Sequence, residues 1–157
     1  MKAIRLVMVM AVLGVMAAGA QAATPGIVIH STETPFDEVK ERVTMAIENR
    51  GMVLNYTARV GEMLERTGKD LGRERRIYAH AEVLEFCSAK LSRDTMEADP
   101  RNIVFCPYTI AIYALPQEPG KVYLSYRKPA AIGSGQSVRT LRAVEKLLAD
   151  IVGEALK

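Results

Sequence analysis

Apolar side chains recur every third or fourth position in two long stretches of the chain and every second position in several shorter ones. Phe36, Val39, Val43 and Ile47 make one stripe opposite Glu38, Lys40, Glu41 and Arg42, which predicts an amphipathic helix. Thr34 is placed to cap it, Pro35 to fill its first position, and Asp37 to return a hydrogen bond to the cap. Gly51 is expected to end it in the left-handed conformation. The clearest signal comes last: Val138, Leu141, Val144, Leu148, Ile151, Val152 and Ala155 keep helical spacing for about five turns, predicting a helix over residues 136–156. That stripe reads as core, or otherwise as a dimer surface. The preceding Gly133-Ser134-Gly135 lacks the Lys-Ser/Thr of a phosphate loop and reads as a hinge.

The shorter periods predict strands. Ile27 to Ile29 is β-branched, Met52 to Val60 alternates, and Ile77 to Phe86 is interrupted regularly by His80, Glu82 and Glu85. Between the last two, Met63, Leu64, Thr67 and Leu71 suggest a short helix broken by Gly72. Ser88 to Ala98 reads as a helix capped by Ser88 and ended before Pro100. Ile103 to Leu115 and Lys121 to Arg127 form a hairpin about the turn residues Pro116 to Gly120, closed by Pro129. With several strands between helices and no regular strand–helix alternation, the expected class is α+β: a single layer of twisted antiparallel sheet packed against two main helices.

Residues 1–22 change the picture of charge and compartment. Lys2 and Arg5 precede an uncharged run from Leu6 to about Ala18, and Ala20-Gln21-Ala22 supplies the small residues that signal peptidase requires. The run is shorter than the roughly 20 residues that span a bilayer, so cleavage before Ala23 and a periplasmic or secreted mature domain, 23–157, are expected, with no membrane span after cleavage. Without Lys2 and Arg5, 19 basic and 18 acidic side chains remain, a net charge of +1. Neither that balance nor Arg73-Glu74-Arg75-Arg76, read as a solvated turn, suggests a nucleic-acid partner. At 49% hydrophobic and 25% charged, the chain is neither disordered nor collagen-like, and two cysteines do not make a disulfide scaffold.

Those two cysteines are the one chemistry-bearing pair. Cys87 ends a predicted strand and Cys106 starts the next, with a short helix between them that can return the chain to its starting point. Three readings stand: a structural disulfide, a functional dithiol that is redox-active or binds a soft ion, and two inert thiols. Free amides at the start of the helix after Cys87 would lower its pKa, and Pro107 would leave the strand at Cys106 bulged or at an edge, and so more accessible. As thiolates the pair suits Cu(I), with Met96 as a candidate third sulfur; His80, an odd number of residues from Cys87, is a poor ligand. Tyr108, Tyr126 and Arg127 are candidates for a ligand cleft, Arg127 toward a carboxylate, although Tyr108, Tyr113, Tyr123 and Tyr126 also suit strand packing. No pattern of Ser, His and Asp supports hydrolytic catalysis. The reading is therefore of a binding or accessory module, with a dithiol enzyme or carrier for sulfur or a soft metal such as Cu(I), and a structural homodimer without chemistry, as the alternatives; no cofactor is expected, and the ligand or protein partner is unidentified.

Phe86-Cys87, Phe105-Cys106-Pro107-Tyr108, Ile110 to Tyr113 and Val122 to Pro129 together resemble the domain of unknown function 302 family, as do the helix at Thr34-Pro35-Phe36 and the strand entry at Gly51-Met52-Val53. The resemblance covers roughly residues 26–132. In that family a first Cys begins a Cys-Asn-Pro step and a second follows Leu-Pro; here Ser88-Ala89 replaces Asn-Pro, and Pro107 comes after Cys106. The resemblance implies a compact α+β domain, often a homodimer, with no established activity.

Overall fold

A computed structural model describes residues 25–157, so the expected leader over 1–22 lies outside the described residues. Five strands, β1 (Ile27–Thr32), β2 (Leu54–Ala58), β3 (His80–Phe86), β4 (Tyr108–Ala114) and β5 (Val122–Arg127), form one antiparallel sheet in the order β1-β5-β4-β3-β2. The helices are α1 (Phe36–Glu48), α2 (Val60–Asp70), α3 (Ala89–Ala98) and α4 (Gly135–Ala155), with a 3₁₀ helix over Pro100–Phe105. The fold is α+β, as the periodicity predicts.

Alternation along the strands decides which face is buried. Leu84 and Phe86 of β3, Ile110 and Ile112 of β4, and Leu124 of β5 point to one side and are fully covered by Val39, Val43 and Ile47 of α1 and by Val144, Ile151 and Val152 of α4. Each such side chain stabilises the fold by roughly 1.5–3 kcal/mol. The apolar stripe of α4 is thus spent on its own core. Lys40 of α1 also reaches down to this face, its Nζ 2.7 Å from Glu82 Oε2, an ion pair that satisfies an otherwise unbonded carboxylate oxygen. The opposite face is partly shielded by α2, where Gly61 passes over Ala81 closely enough that a side chain there would press on the strand backbone.

Several elements differ from the sequence-based expectation. Helices do intervene after β1, β2 and β3, so strand and helix alternate through most of the chain, but every strand pair is antiparallel and the fold is not doubly wound. Thr34 does not cap α1: its hydroxyl pairs with Thr32 Oγ1 at 3.0 Å, and α1 starts after Pro35 with no side-chain cap. Residues 103–105, apolar enough to suggest strand, turn in the 3₁₀ helix that Asp99 caps by accepting the Arg101 N–H. The Gly51 expectation holds. At φ 70° it lets its own N–H reach Glu48 O and the Met52 N–H reach Ile47 O, closing α1 while Met52 packs into the core.

Candidate functional site

The pairing of Phe86 with Tyr108 aligns the end of β3 with the start of β4, so the residues just outside that pair, Cys87 and Cys106, meet at one end of the sheet. Their Sγ atoms lie 3.2 Å apart. That is a hydrogen-bonding separation, longer than the ~2.05 Å of a disulfide, so the two groups are free thiols. The connection that returns the chain is α3 followed by the 3₁₀ helix. Ser88 caps α3 by accepting the Leu91 N–H, and Asn102, buried between them, donates to Thr95 O and to Ser137 Oγ, each at 2.9 Å. This polar clamp fixes α3 against α4 and so fixes where Cys106 emerges.

The immediate surroundings of the sulfurs come from Tyr108, already a cleft candidate, and from Ser92 and Asn55, which the sequence did not single out. Ser92 Oγ stands 3.7 Å from Cys106 Sγ and 3.4 Å from Tyr108 Oη, linking thiol, hydroxyl and phenol in a row. The side chain of Asn55 and the backbone of Tyr108 act to lower the Cys87 thiol. Burial first, and then the hydrogen bond and repulsive charge of Cys106, nevertheless push the Cys87 thiol up to about 11. The expected lowering by the α3 terminus is overturned, because loss of water around the sulfur outweighs the donors near it. Burial likewise raises the Tyr108 phenol. Polar residues placed on the neighbouring strand and one turn along a helix leave no periodic mark, which is why Asn55 and Ser92 escape a reading of the chain alone.

Pro107, joined to Cys106 by a cis peptide bond, stands just before β4 rather than bulging it. Beside it opens a cleft of about 210 Å³, whose walls include Phe105, Pro107, Tyr108, Thr109, Arg127 and Leu148. Tyr108 and Arg127 thus share one cleft. Tyr126 is not part of its lining; it is buried in the core, where burial raises its phenol. Tyr113 and Tyr123 lie on the opposite face of the sheet, stacked with centroids 5.0 Å apart.

The remaining ligand candidates fall at different distances from the sulfurs. Met96 is on α3 one turn beyond Ser92. His80 is at the far end of β3, roughly 20 Å along the strand from Cys87, with its ring 5.2 Å from that of Phe36. Among the described residues no group of three or more His, Cys, Asp or Glu side chains is arranged to hold a metal ion, and no helix is long and apolar enough to cross a membrane.

An antiparallel sheet with its main helices on one face and a thiol pair at one end defines a class of small α+β domains. Residues 27–155 match the family described as Domain of unknown function DUF302, and the chain belongs to that family. It is also similar in fold to the crystal structure of an uncharacterized conserved protein DUF302 from Bacillus stearothermophilus, with a TM-score of 0.70 at 17% identity, covering 85% of this chain and 100% of that one. No curated protein matches the chain.

Proposed function

We propose that the mature domain is an exported binding or accessory module whose Cys87 and Cys106 act as a reversible dithiol, closing to a disulfide in the oxidising space outside the inner membrane. The observation that carries this reading is the 3.2 Å separation of the two sulfurs at the end of neighbouring strands. At that separation the sulfurs are already in contact, so the register of β3 and β4 brings together the two atoms that a disulfide would join. The raised Cys87 thiol favours an accessory role over a fast dithiol enzyme, since only the thiolate attacks and little is present near neutral pH. The predicted leader over 1–22 supports the oxidising compartment.

Intact mass of the protein recovered from the periplasm, taken with and without reductant after alkylation, tests this. The reading expects two hydrogens fewer before reduction and two added alkyl groups after it. Two alkyl groups without reduction would contradict it, and a bound Cu(I) lost on acidification would favour soft-metal handling by Cys87, Cys106 and Met96 instead.

A second reading, a structural homodimer, is favoured by β1 at the edge of the sheet, where Ile27 and Ile29 are 41% and 49% exposed. With the apolar stripe of α4 already buried, such a dimer would form through this edge. Light scattering of the wild type and of Ile29→Lys decides it: a dimer that dissociates in the variant supports the edge, and a wild-type monomer rejects it.

A further inference from the structure

Cys87 and Cys106 are both half-buried, yet their sulfurs stand in unequal surroundings. Cys106 Sγ has two hydrogen-bond donors at hand, the Cys87 thiol at 3.2 Å and the Ser92 hydroxyl at 3.7 Å. Ser92 is fixed one turn into α3 by its own N–H, which bonds to Ser88 O at 2.8 Å. Its hydroxyl also lies 3.4 Å from Tyr108 Oη. Burial raises the Tyr108 phenol, so that group keeps its proton and can donate to Ser92, leaving the Ser92 hydrogen for the sulfur. Donors aimed at a thiolate favour the charged form. Cys87, by contrast, is held up in part by Cys106 itself, through their hydrogen bond and the repulsion between two negative charges. These contacts favour the proton on Cys87 and the charge on Cys106.

We propose that Cys106 is the sulfur that attacks first and that Ser92 is its positioning residue, donating its hydroxyl hydrogen to the Cys106 thiolate. This rests on the dithiol reading and gives the pair an order of events. The Cys106 thiolate attacks one sulfur of an external low-mass disulfide, the S–S bond breaks, and one small thiolate leaves, so that Cys106 carries a mixed disulfide. That step removes both contributions by which Cys106 holds up the Cys87 thiol, while the lowering by Asn55 and Tyr108 persists and burial is the one raising cause left. Cys87 then gives its proton to water and attacks Cys106 Sγ, the mixed bond breaks, and the second small thiolate leaves. The two protein thiols lose two electrons and two protons, and the small disulfide takes up both as two thiols. The thiol that closes the bond is thus held back until the first exchange has occurred.

Alkylation of the reduced protein by a limiting amount of iodoacetamide, resolved by peptide and followed from neutral to alkaline pH, tests the order. At neutral pH the first alkyl group is expected on Cys106. In Ser92→Ala the Cys106 rate at neutral pH should fall about threefold, a roughly tenfold loss of thiolate offset in part by the greater nucleophilicity of a more basic sulfur. The pH profile of Cys106 labelling should move upward in the same variant, and Ser92→Thr, which keeps the hydroxyl, should restore both rate and profile. With Cys106 already alkylated, the remaining Cys87 thiol should label over a lower pH range than in the unmodified protein. Cys87 labelled first, equal rates at the two sulfurs, a Ser92→Ala profile that coincides with the wild type's, a loss that Ser92→Thr does not recover, or a Cys87 range unmoved by alkylation of Cys106 would each overturn the proposal. All of these leave the dithiol reading intact, since only the reduced protein is read. Failure of glutathione disulfide to close the wild-type pair would instead overturn the dithiol reading and the exchange sequence with it, whatever the labelling order.

Discussion

Cys87 and Cys106 are 19 positions apart in the chain and 3.2 Å apart at their sulfurs, because β3 and β4 pair so that each cysteine falls one or two residues outside the Phe86–Tyr108 rung. The loop they would close is the helix and 3₁₀ turn that Asn102 clamps to α4. In the chain-entropy picture, a loop of about twenty residues is worth roughly 3 kcal/mol when cross-linked. Oxidised protein should therefore melt about 10 °C above the reduced form. Calorimetry with and without reductant reads this difference, which should vanish in Cys106→Ser. Equal melting temperatures in a wild type shown by mass to be cross-linked would mean that the bond strains the fold by as much as it constrains the unfolded chain.

The raised Cys87 thiol has a direct kinetic consequence and a thermodynamic one of definite sign. Peptide-resolved alkylation of the reduced protein should show Cys87 labelling still climbing about tenfold per pH unit above pH 9, toward its value of about 11. The native reduced state holds this proton more firmly than the unfolded chain does. Its stabilising contribution is complete below the unfolded value near 9 and disappears as pH rises through about 11. Urea midpoints of the reduced wild type should accordingly fall more steeply between pH 9 and 11 than those of Cys87→Ser. A labelling curve that levels off below pH 9 would show that the donors at Asn55 and Tyr108, not burial, govern the sulfur.

Asn102 offers the cleanest test of how Cys106 is positioned. Replacing it with Ala removes both donors, leaves the Thr95 carbonyl with only the Asp99 N–H and strands the Ser137 hydroxyl in a buried site. A loss of about 2–3 kcal/mol in denaturant unfolding is expected. In addition, the oxidation rate of the thiol pair should change, because α3 and the 3₁₀ helix lose their shared anchor on α4. An unchanged stability would place the clamp elsewhere.

Two helical glycines should respond in opposite directions to the same methyl group. At Gly68 in α2 a Cβ would sit 2.6 Å from the carbonyl oxygen of Arg73, whose N–H in turn closes the helix on Gly68 O. Gly68→Ala should cost about 1–3 kcal/mol. At Gly153 in α4 a Cβ would meet nothing within 4 Å, so Gly153→Ala should gain about 0.5–1 kcal/mol from backbone entropy alone. Thermal melts of the two variants check the sign.

How much of this was legible in the chain depends on the range of the interaction that fixes each feature. The stripes of α1 and α4 and the alternation of β4 and β5 are properties of neighbouring residues, and the sequence carries them openly. Thr34 misleads because Thr32, two positions back, competes for its hydroxyl, and a local pattern does not say which partner wins. Residues 103–105 mislead for a related reason: Asp99 and Pro100 start a 3₁₀ turn that overrides their β preference. The meeting of Cys87 with Cys106 could be anticipated from a strand–helix–strand connection. The Asn55 amide and the cleft under Arg127 could not, since each is brought in by elements far apart in the chain, and the Ser92 hydroxyl could not because a polar residue one turn into α3 leaves no periodic mark.

The central claim is that one reversible bond joins Cys87 to Cys106, and equilibration across glutathione redox buffers followed by acid quench, alkylation and intact mass tests it most directly. The account predicts only species with two alkyl groups or none, interconverting within the span those buffers cover. A pair that stays oxidised in excess reduced glutathione, or one that accumulates singly alkylated mixed disulfides and never closes, would contradict it.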